Sequence, residues 1–133
     1  MADYAVKKID EMEAAFRGSF KRARAELGVE AFGMQVMDLP PNIGDAYPEH
    51  DHSDVGQEEV YLALRGEGEF EIEGETHRLD PETMVRVGPG VKRRIRTGDE
   101  GLRLLALGGC AGKAYEAPDF SKLGAPDPAA QQS

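Results

Sequence analysis

Short extended segments separated by turn residues run through most of this chain after about residue 20, and no other feature constrains the fold as much. In Glu69-Phe70-Glu71-Ile72-Glu73, charged and apolar side chains alternate with a period of two, which sets one face of a strand on a core and the other in water. Gly74-Glu75 predicts a hairpin turn into a strand over 76–79. Further strands are predicted over 20–27 and 31–39, on either side of Gly28, and over 58–64, 84–87, 91–96 and 102–107. Gly66-Glu67-Gly68 predicts a tight turn, and Leu39-Pro40-Pro41-Asn42-Ile43-Gly44 a breaker-rich loop. Helix spacing is confined to 9–16, where Ile9, Met12 and Phe16 share a face and Asp10 lies near the start. Many short strands at regular spacing predict an all-β sandwich or barrel.

Two of these strands are apolar on both faces. Val60, Leu62 and Leu64 oppose Tyr61 and Ala63, and Leu102, Leu104 and Ala106 oppose Leu105 and Leu107. A strand wetted on one face should alternate more cleanly. A cover is therefore expected, either an N-terminal hairpin or a second subunit, and a homodimer is the commoner oligomeric solution.

With 133 residues the chain can bury a single core without disulfide or metal staples. A net charge of −9 argues against nucleic acid as a partner, since such binders present basic surfaces. No apolar run approaches the ~18 residues of a membrane span. Met1-Ala2-Asp3-Tyr4 lacks the basic and apolar regions of a secretion signal, and the lone Cys110 allows no intrachain disulfide, so a cytoplasmic location is expected. Beside Gly108 and Gly109, Cys110 reads as a small filler. Gly66-Glu67-Gly68 and Gly88-Pro89-Gly90 have no following helix to present amides to a phosphate, and no G-x-S-x-G elbow or Cys–His pair suits acyl transfer.

The chemistry concentrates in His50-Asp51-His52 and Gln57-Glu58-Glu59-Val60-Tyr61. Histidines two apart on a strand point to one face with Cα atoms ~7 Å apart. Both imidazoles can then converge on one ion, with a carboxylate from a neighbouring strand as a third ligand. The pattern Gly44-x5-His50-x-His52 … Glu59-x6-Gly66 resembles the first motif of the cupin family. The resemblance covers roughly residues 44–107. It implies a double-stranded β-helix, a small jelly-roll barrel, and a metal site inside it with His50, His52 and Glu59 in the first three ligand positions. The gap from His52 to Glu59 is longer than the family's usual three or four residues, and Ser53-Asp54-Val55-Gly56 reads as the insertion that absorbs it. Spacing to Gly66 favours Glu59 as the ligand, whereas Glu58 shares a face with Val60, Leu62 and Leu64 and would point inward if that face lined the barrel.

The family's second motif, G-x5-P-x-G-x2-H-x3-N, is eroded. Glu82 and Gly88 stand at its first glycine and its proline, Gly90 holds, and Arg93 and Thr97 stand at its histidine and asparagine. Arginine has no lone pair to donate, so Arg93 cannot replace a ligating imidazole. Val91, Arg93 and Ile95 form the inward set of their strand if it alternates, opposite Lys92, Arg94 and Arg96. An inward guanidinium needs a partner, either Glu59 or an anionic group on a ligand; the alternative is a solvated strand with Arg93 snorkelling to the barrel mouth. His77 reads as a surface histidine.

Two arrangements of the site follow. In one, His50, His52 and Glu59 hold one divalent transition metal (iron, manganese, nickel, copper or zinc) and Arg93 orients a small anionic substrate. In the other, an Arg93–Glu59 pair takes the metal's place; at ~5 Å and ε ~20 a divalent ion would feel about 6 kcal/mol of repulsion from the guanidinium. The first implies a metal-dependent enzyme of dioxygenase or isomerase type. The second implies a protein that binds a small carboxylate or sugar without chemistry, lined by Arg93, Tyr61 and Gln35. Expected domain organisation is an N-terminal extension over 1–38, a barrel core over 39–112 and an extended or disordered tail over 113–133.

Overall fold

The computed structural model describes residues 2–44 and 49–131. Seven strands form one antiparallel sheet: β1 (Ala14–Ala15), β2 (Phe20–Lys21), β3 (Gly33–Leu39), β4 (Glu58–Ile72), β5 (Glu75–Leu79), β6 (Met84–Val87) and β7 (Arg93–Gly109). Their order is β1-β2-β3-β7-β4-β5, with β6 paired to β4. The sheet curls through β4 and β7, which pair along most of their length, Glu58 opposite Gly109 at one end and Ile72 opposite Arg93 at the other. The all-β expectation holds.

Gly66-Glu67-Gly68 is a kink inside one continuous strand and not a turn between two. The ladder shifts register between Ala63/Arg65 and Gly66/Gly68, the mark of a bulge that bends a strand. Gly66 has φ 81°, and a Cβ there would come within 2.5 Å of the Gly101 carbonyl oxygen; at Gly68 a Cβ would collide with the carbonyl oxygen of Arg96. Glycine is what lets β4 and β7 cross at the bend. The hairpin into β5 turns on Glu73 and Gly74, both at positive φ, because Ile72 already pairs Glu75. The turn therefore lies one residue earlier than predicted.

The N-terminal segment departs most from expectation. Residues 9–16 form no α-helix: Ile9–Glu11 is a single 3-10 turn and Ala14–Ala15 joins the sheet edge, where its backbone pairs Lys21 and Phe20. A segment this short cannot sustain a helix by itself, and the sheet edge satisfies its amides instead. The strand predicted over 20–27 ends at Lys21. Ala23–Leu27 is a short helix, α1, closed by Gly28 at φ 76°, since Ala-Arg-Ala-Glu-Leu consists of strong helix formers with glycine at the stop position.

These N-terminal pieces cover part of the sheet. Met12, Ala23 and Val36 form a small buried cluster, with Ile9, Leu27, Met34 and Leu105 packed on it. The main core lies within the curled sheet and contains Tyr61, Ala63, Phe70, Leu79, Ile95 and Leu104. On β4 the inward face is Glu59, Tyr61 and Ala63, and the more apolar face of Val60, Leu62 and Leu64 looks outward. Lateral pairing of Val60 with Leu107 and of Leu62 with Leu105 half-buries that outer face, but Leu64 is 39% and Met84 68% exposed.

The tail, of which residues 132–133 lie outside the described part, is tied to the N-terminal hairpin through residue 127. Both Asp127 oxygens accept amide hydrogen bonds, from Phe16 (2.8 Å) and Arg17 (3.0 Å). The buried Arg22 pairs with Glu13 and donates to the Ala125 carbonyl (3.0 Å), and Glu13 accepts from the Gly124 amide (2.7 Å). No helix among the described residues is long and apolar enough to cross a membrane.

Candidate functional site

The segment carrying both histidines is fixed by backbone contacts to the start of β7. His50 and Arg93 exchange two antiparallel hydrogen bonds (3.0 and 2.9 Å), and the His52 amide donates to the Pro89 carbonyl (2.9 Å). Both imidazoles then meet β4, where alternation places Glu59 and Tyr61 inward. One ligand atom from each of His50, His52 and Glu59 lies within 4.8 Å of the others. The two rings stand edge to face at 5.1 Å.

Glu59 is 4% exposed, and three side chains meet on its Oε1: His52 Nε2 at 2.7 Å, the Tyr61 hydroxyl at 2.5 Å and Arg93 Nη2 at 2.8 Å. Burial pushes this carboxyl up, but hydrogen bonds from His52 and Tyr61, the charge of His52 and the hydrogen bond from Arg93 outweigh it and hold the group at about 2. Glu59 is thus ionised at any physiological pH, the state in which a carboxylate binds a cation. The sequence left Glu58 and Glu59 open. Glu59 faces inward, while Glu58 is exposed and pairs with Arg86 at 2.9 Å.

Arg93 faces inward as alternation predicts, and its guanidinium engages protein partners. Its side chain is 0% exposed and lies outside the cavity wall. Nη1 donates to the Val91 carbonyl at 2.7 Å and Nη2 to Glu59. Burial works against its charge, and Tyr61 and Glu59 more than restore it. The fully buried guanidinium holds the carboxylate at the same Oε1 that His52 and Tyr61 reach, so the Arg93–Glu59 pair and the three-residue cluster coexist. Of the two partners expected for Arg93, Glu59 and an anionic ligand group, the structure shows the contact with Glu59.

His50, His52, Glu59, Tyr61 and Gln35 all line a cavity of about 1160 Å³. His77 lies apart on β5, half-exposed beside Glu75. Cys110 also reaches the cavity wall, its thiol 3.1 Å from the Val55 carbonyl. The residues missed by sequence reasoning are those supplied by the chain ends: Phe16 and Phe20 from the N-terminal hairpin, Tyr115 and Phe120 from the tail. Tyr115 packs over Gly33, where a Cβ would come within 2.7 Å of its hydroxyl, and burial raises that hydroxyl above the ordinary tyrosine range. Aromatic residues in a stretch otherwise rich in Gly, Pro and Ala were the available signal, since a tail with no packing role has little use for them.

The family described as "Cupin domain" matches residues 35–108. Among solved structures, a cupin protein from Bacteroides fragilis is similar at 22% identity and a TM-score of 0.67, covering 89% of this chain and 93% of its own. The DMSP lyase DddQ from Ruegeria pomeroyi DSS-3 is similar at 23% identity and a TM-score of 0.57, over 90% of this chain and 62% of its own. A Cupin 2 conserved barrel domain protein from Salinispora arenicola is similar at 21% identity and a TM-score of 0.52, over 61% and 65%. None of the curated proteins compared matches. These likenesses establish the fold.

Proposed function

Because this chain belongs to the cupin family, we propose that it holds a small molecule inside its barrel at a single divalent-metal site made by His50, His52 and Glu59. The observation that carries this reading is the convergence of three ligand atoms within 4.8 Å on the wall of a large cavity. Two imidazoles and one carboxylate suit a borderline divalent ion such as zinc, iron, manganese, nickel or copper. Glu59 is ionised and held by Arg93, and the His50 backbone is pinned to the same residue. Arg93 thus stands where the family's fourth ligand would be and acts on two of the other three.

Three protein ligands leave coordination positions open to the cavity, the arrangement that lets an ion polarise a bound oxygen. This favours a second reading, a metal-dependent enzyme. In either case Glu59 and the histidines set the place of the ligand's polar group, and Tyr61 keeps Glu59 oriented through its hydroxyl. Titration of metal-free protein with zinc or manganese tests the site: one equivalent should bind, and His50→Ala should weaken binding at least tenfold while circular dichroism stays unchanged. Equal affinity in His50→Ala would reject the site, and unfolding of that variant would make His50 structural.

A further inference from the structure

We propose that the molecule this cavity takes is amphipathic, with an oxygen-donor head at His50, His52 and Glu59 and an aromatic ring held by a clamp of Phe16, Phe20 and Phe120. The head rests on the metal reading above; the clamp rests on separate observations.

At about 1160 Å³ the cavity far exceeds what a bare carboxylate or a two-carbon acid would fill; sites for drug-sized ligands run to roughly 300–1,000 Å³. The three phenylalanines come from the two ends of the chain, Phe16 and Phe20 from the N-terminal hairpin and Phe120 from the tail, and meet edge to face, with centroids 6.1 Å (Phe16–Phe20), 5.5 Å (Phe16–Phe120) and 5.2 Å (Phe20–Phe120). All three line the same cavity as the histidines and Glu59. Edge-to-face packing leaves ring faces available to a further ring, and such contacts favour an aromatic guest over an alkyl one.

The backbone shows that this placement is maintained against a cost. Phe16 and Arg17 have φ of 53° and 56°, a conformation that bulky side chains avoid. Their amides are held there by the two oxygens of Asp127 from the far end of the chain. Strain that the surrounding structure over-determines gathers at ligand clamps, and here it sets the Phe16 ring at the cavity, still 38% exposed.

Charge argues the same way. With Arg93 paired to Glu59, Lys113 is the one lysine or arginine among the described residues of the cavity wall, against Asp54, Glu59 and Glu116. Beyond the metal position that wall offers a single side-chain cation, so nothing among its described residues clamps a second anionic group such as that of a phosphate ester or dicarboxylate. A monovalent head that meets a metal, carried on an uncharged aromatic body, is the ligand class the wall admits.

The test uses 3-phenylpropionate and propionate as probes, titrated calorimetrically into the full-length zinc-loaded protein. The phenyl probe should bind at least tenfold more tightly. Phe120→Leu and Phe120→Ala should progressively erase that ratio while zinc content and propionate affinity stay at the wild-type level. Equal affinities for the two probes in the wild-type protein, or a ratio that survives Phe120→Ala, would overturn the clamp. If the protein takes up no zinc, the metal reading fails by itself. The same probe pair on the metal-free protein then decides the clamp, a retained phenyl preference supporting it and no preference refuting it.

Discussion

Replacing Arg93 by methionine should destabilise the fold by about 3 kcal/mol at pH 7, and the loss should shrink on acidification. The side chain is fully buried and its guanidinium touches Glu59 at 2.8 Å and the Val91 carbonyl at 2.7 Å. Removing one member of a buried pair costs roughly 3–5 kcal/mol because the other charge is left uncompensated. Glu59 keeps His52 and Tyr61 as donors, which puts the cost at the lower end. Linkage gives a similar size: a carboxyl held at about 2 when folded, against 4.5 ordinarily, favours the folded state by about 3 kcal/mol above that ordinary value, through all its partners together. That contribution is complete above pH 4.5 and disappears as pH falls through about 2. In the methionine variant Glu59 titrates closer to its ordinary range, so the deficit should be largest at pH 7 and clearly smaller at pH 3.5. Urea unfolding at both pH values measures it, with Glu59→Leu and the double variant completing a cycle. The double variant should be more stable than the sum of the single losses implies, by about 2 kcal/mol. A loss below about 1 kcal/mol in Arg93→Met at pH 7, or strict additivity in the cycle, would refute the pairing as the organising contact of the site.

Arg93→His should raise divalent-metal affinity at least tenfold, because it removes a positive charge held against Glu59 and puts an imidazole in its place; competition against a chelating dye reads this, and unchanged affinity would separate Arg93 from the site. Hydrogen bonds from the Arg17, Ala129 and Phe16 amides hold the Asp127 carboxyl below the ordinary aspartate value. Its hold on the hairpin should therefore be complete above that value and be lost as pH falls below it, and the Phe16 and Arg17 amide resonances should report the release, with Asp127→Asn released already at pH 7. The exposed outer face around Leu64 and Met84 is expected to be covered by a second copy of the chain, so light scattering should give about twice 14.5 kDa; a monomeric mass that Leu64→Glu leaves unchanged would remove that expectation.

Where one physical rule governs a residue, the sequence was enough to place it. Alternation in 69–73 puts Phe70 at 0% exposure, and His-x-His spacing with Gly66 as bracket leads to the cluster of His50, His52 and Glu59. Parity on 91–96 turned Arg93 inward and made Glu59 its candidate partner, the contact seen at 2.8 Å. Competing rules defeated the reading elsewhere. Apolar content points to the Leu62 face of β4 as the inner one, against the spacing to Gly66 that favours Glu59, and lateral pairing with Leu105 half-buries the Leu62 face while Glu59 and Tyr61 turn inward. Glycine punctuation at 66–68 read as a turn, whereas close passage of the Gly101 and Arg96 carbonyls makes it a bend within β4. The clamp was the least legible part, since contacts such as Phe16 to Phe120 and Phe16 to Asp127 join residues more than 100 apart in the chain. No local pattern encodes them.

An anomalous difference map from crystals of protein loaded with zinc, collected at the zinc edge, tests the metal site itself. One peak touching His50, His52 and Glu59 at the cavity wall, with Arg93 still paired to Glu59, is the predicted result. A map without a peak there, or with zinc bound only at surface residues such as His77, would contradict the metal site and leave Glu59 as the partner of a buried arginine.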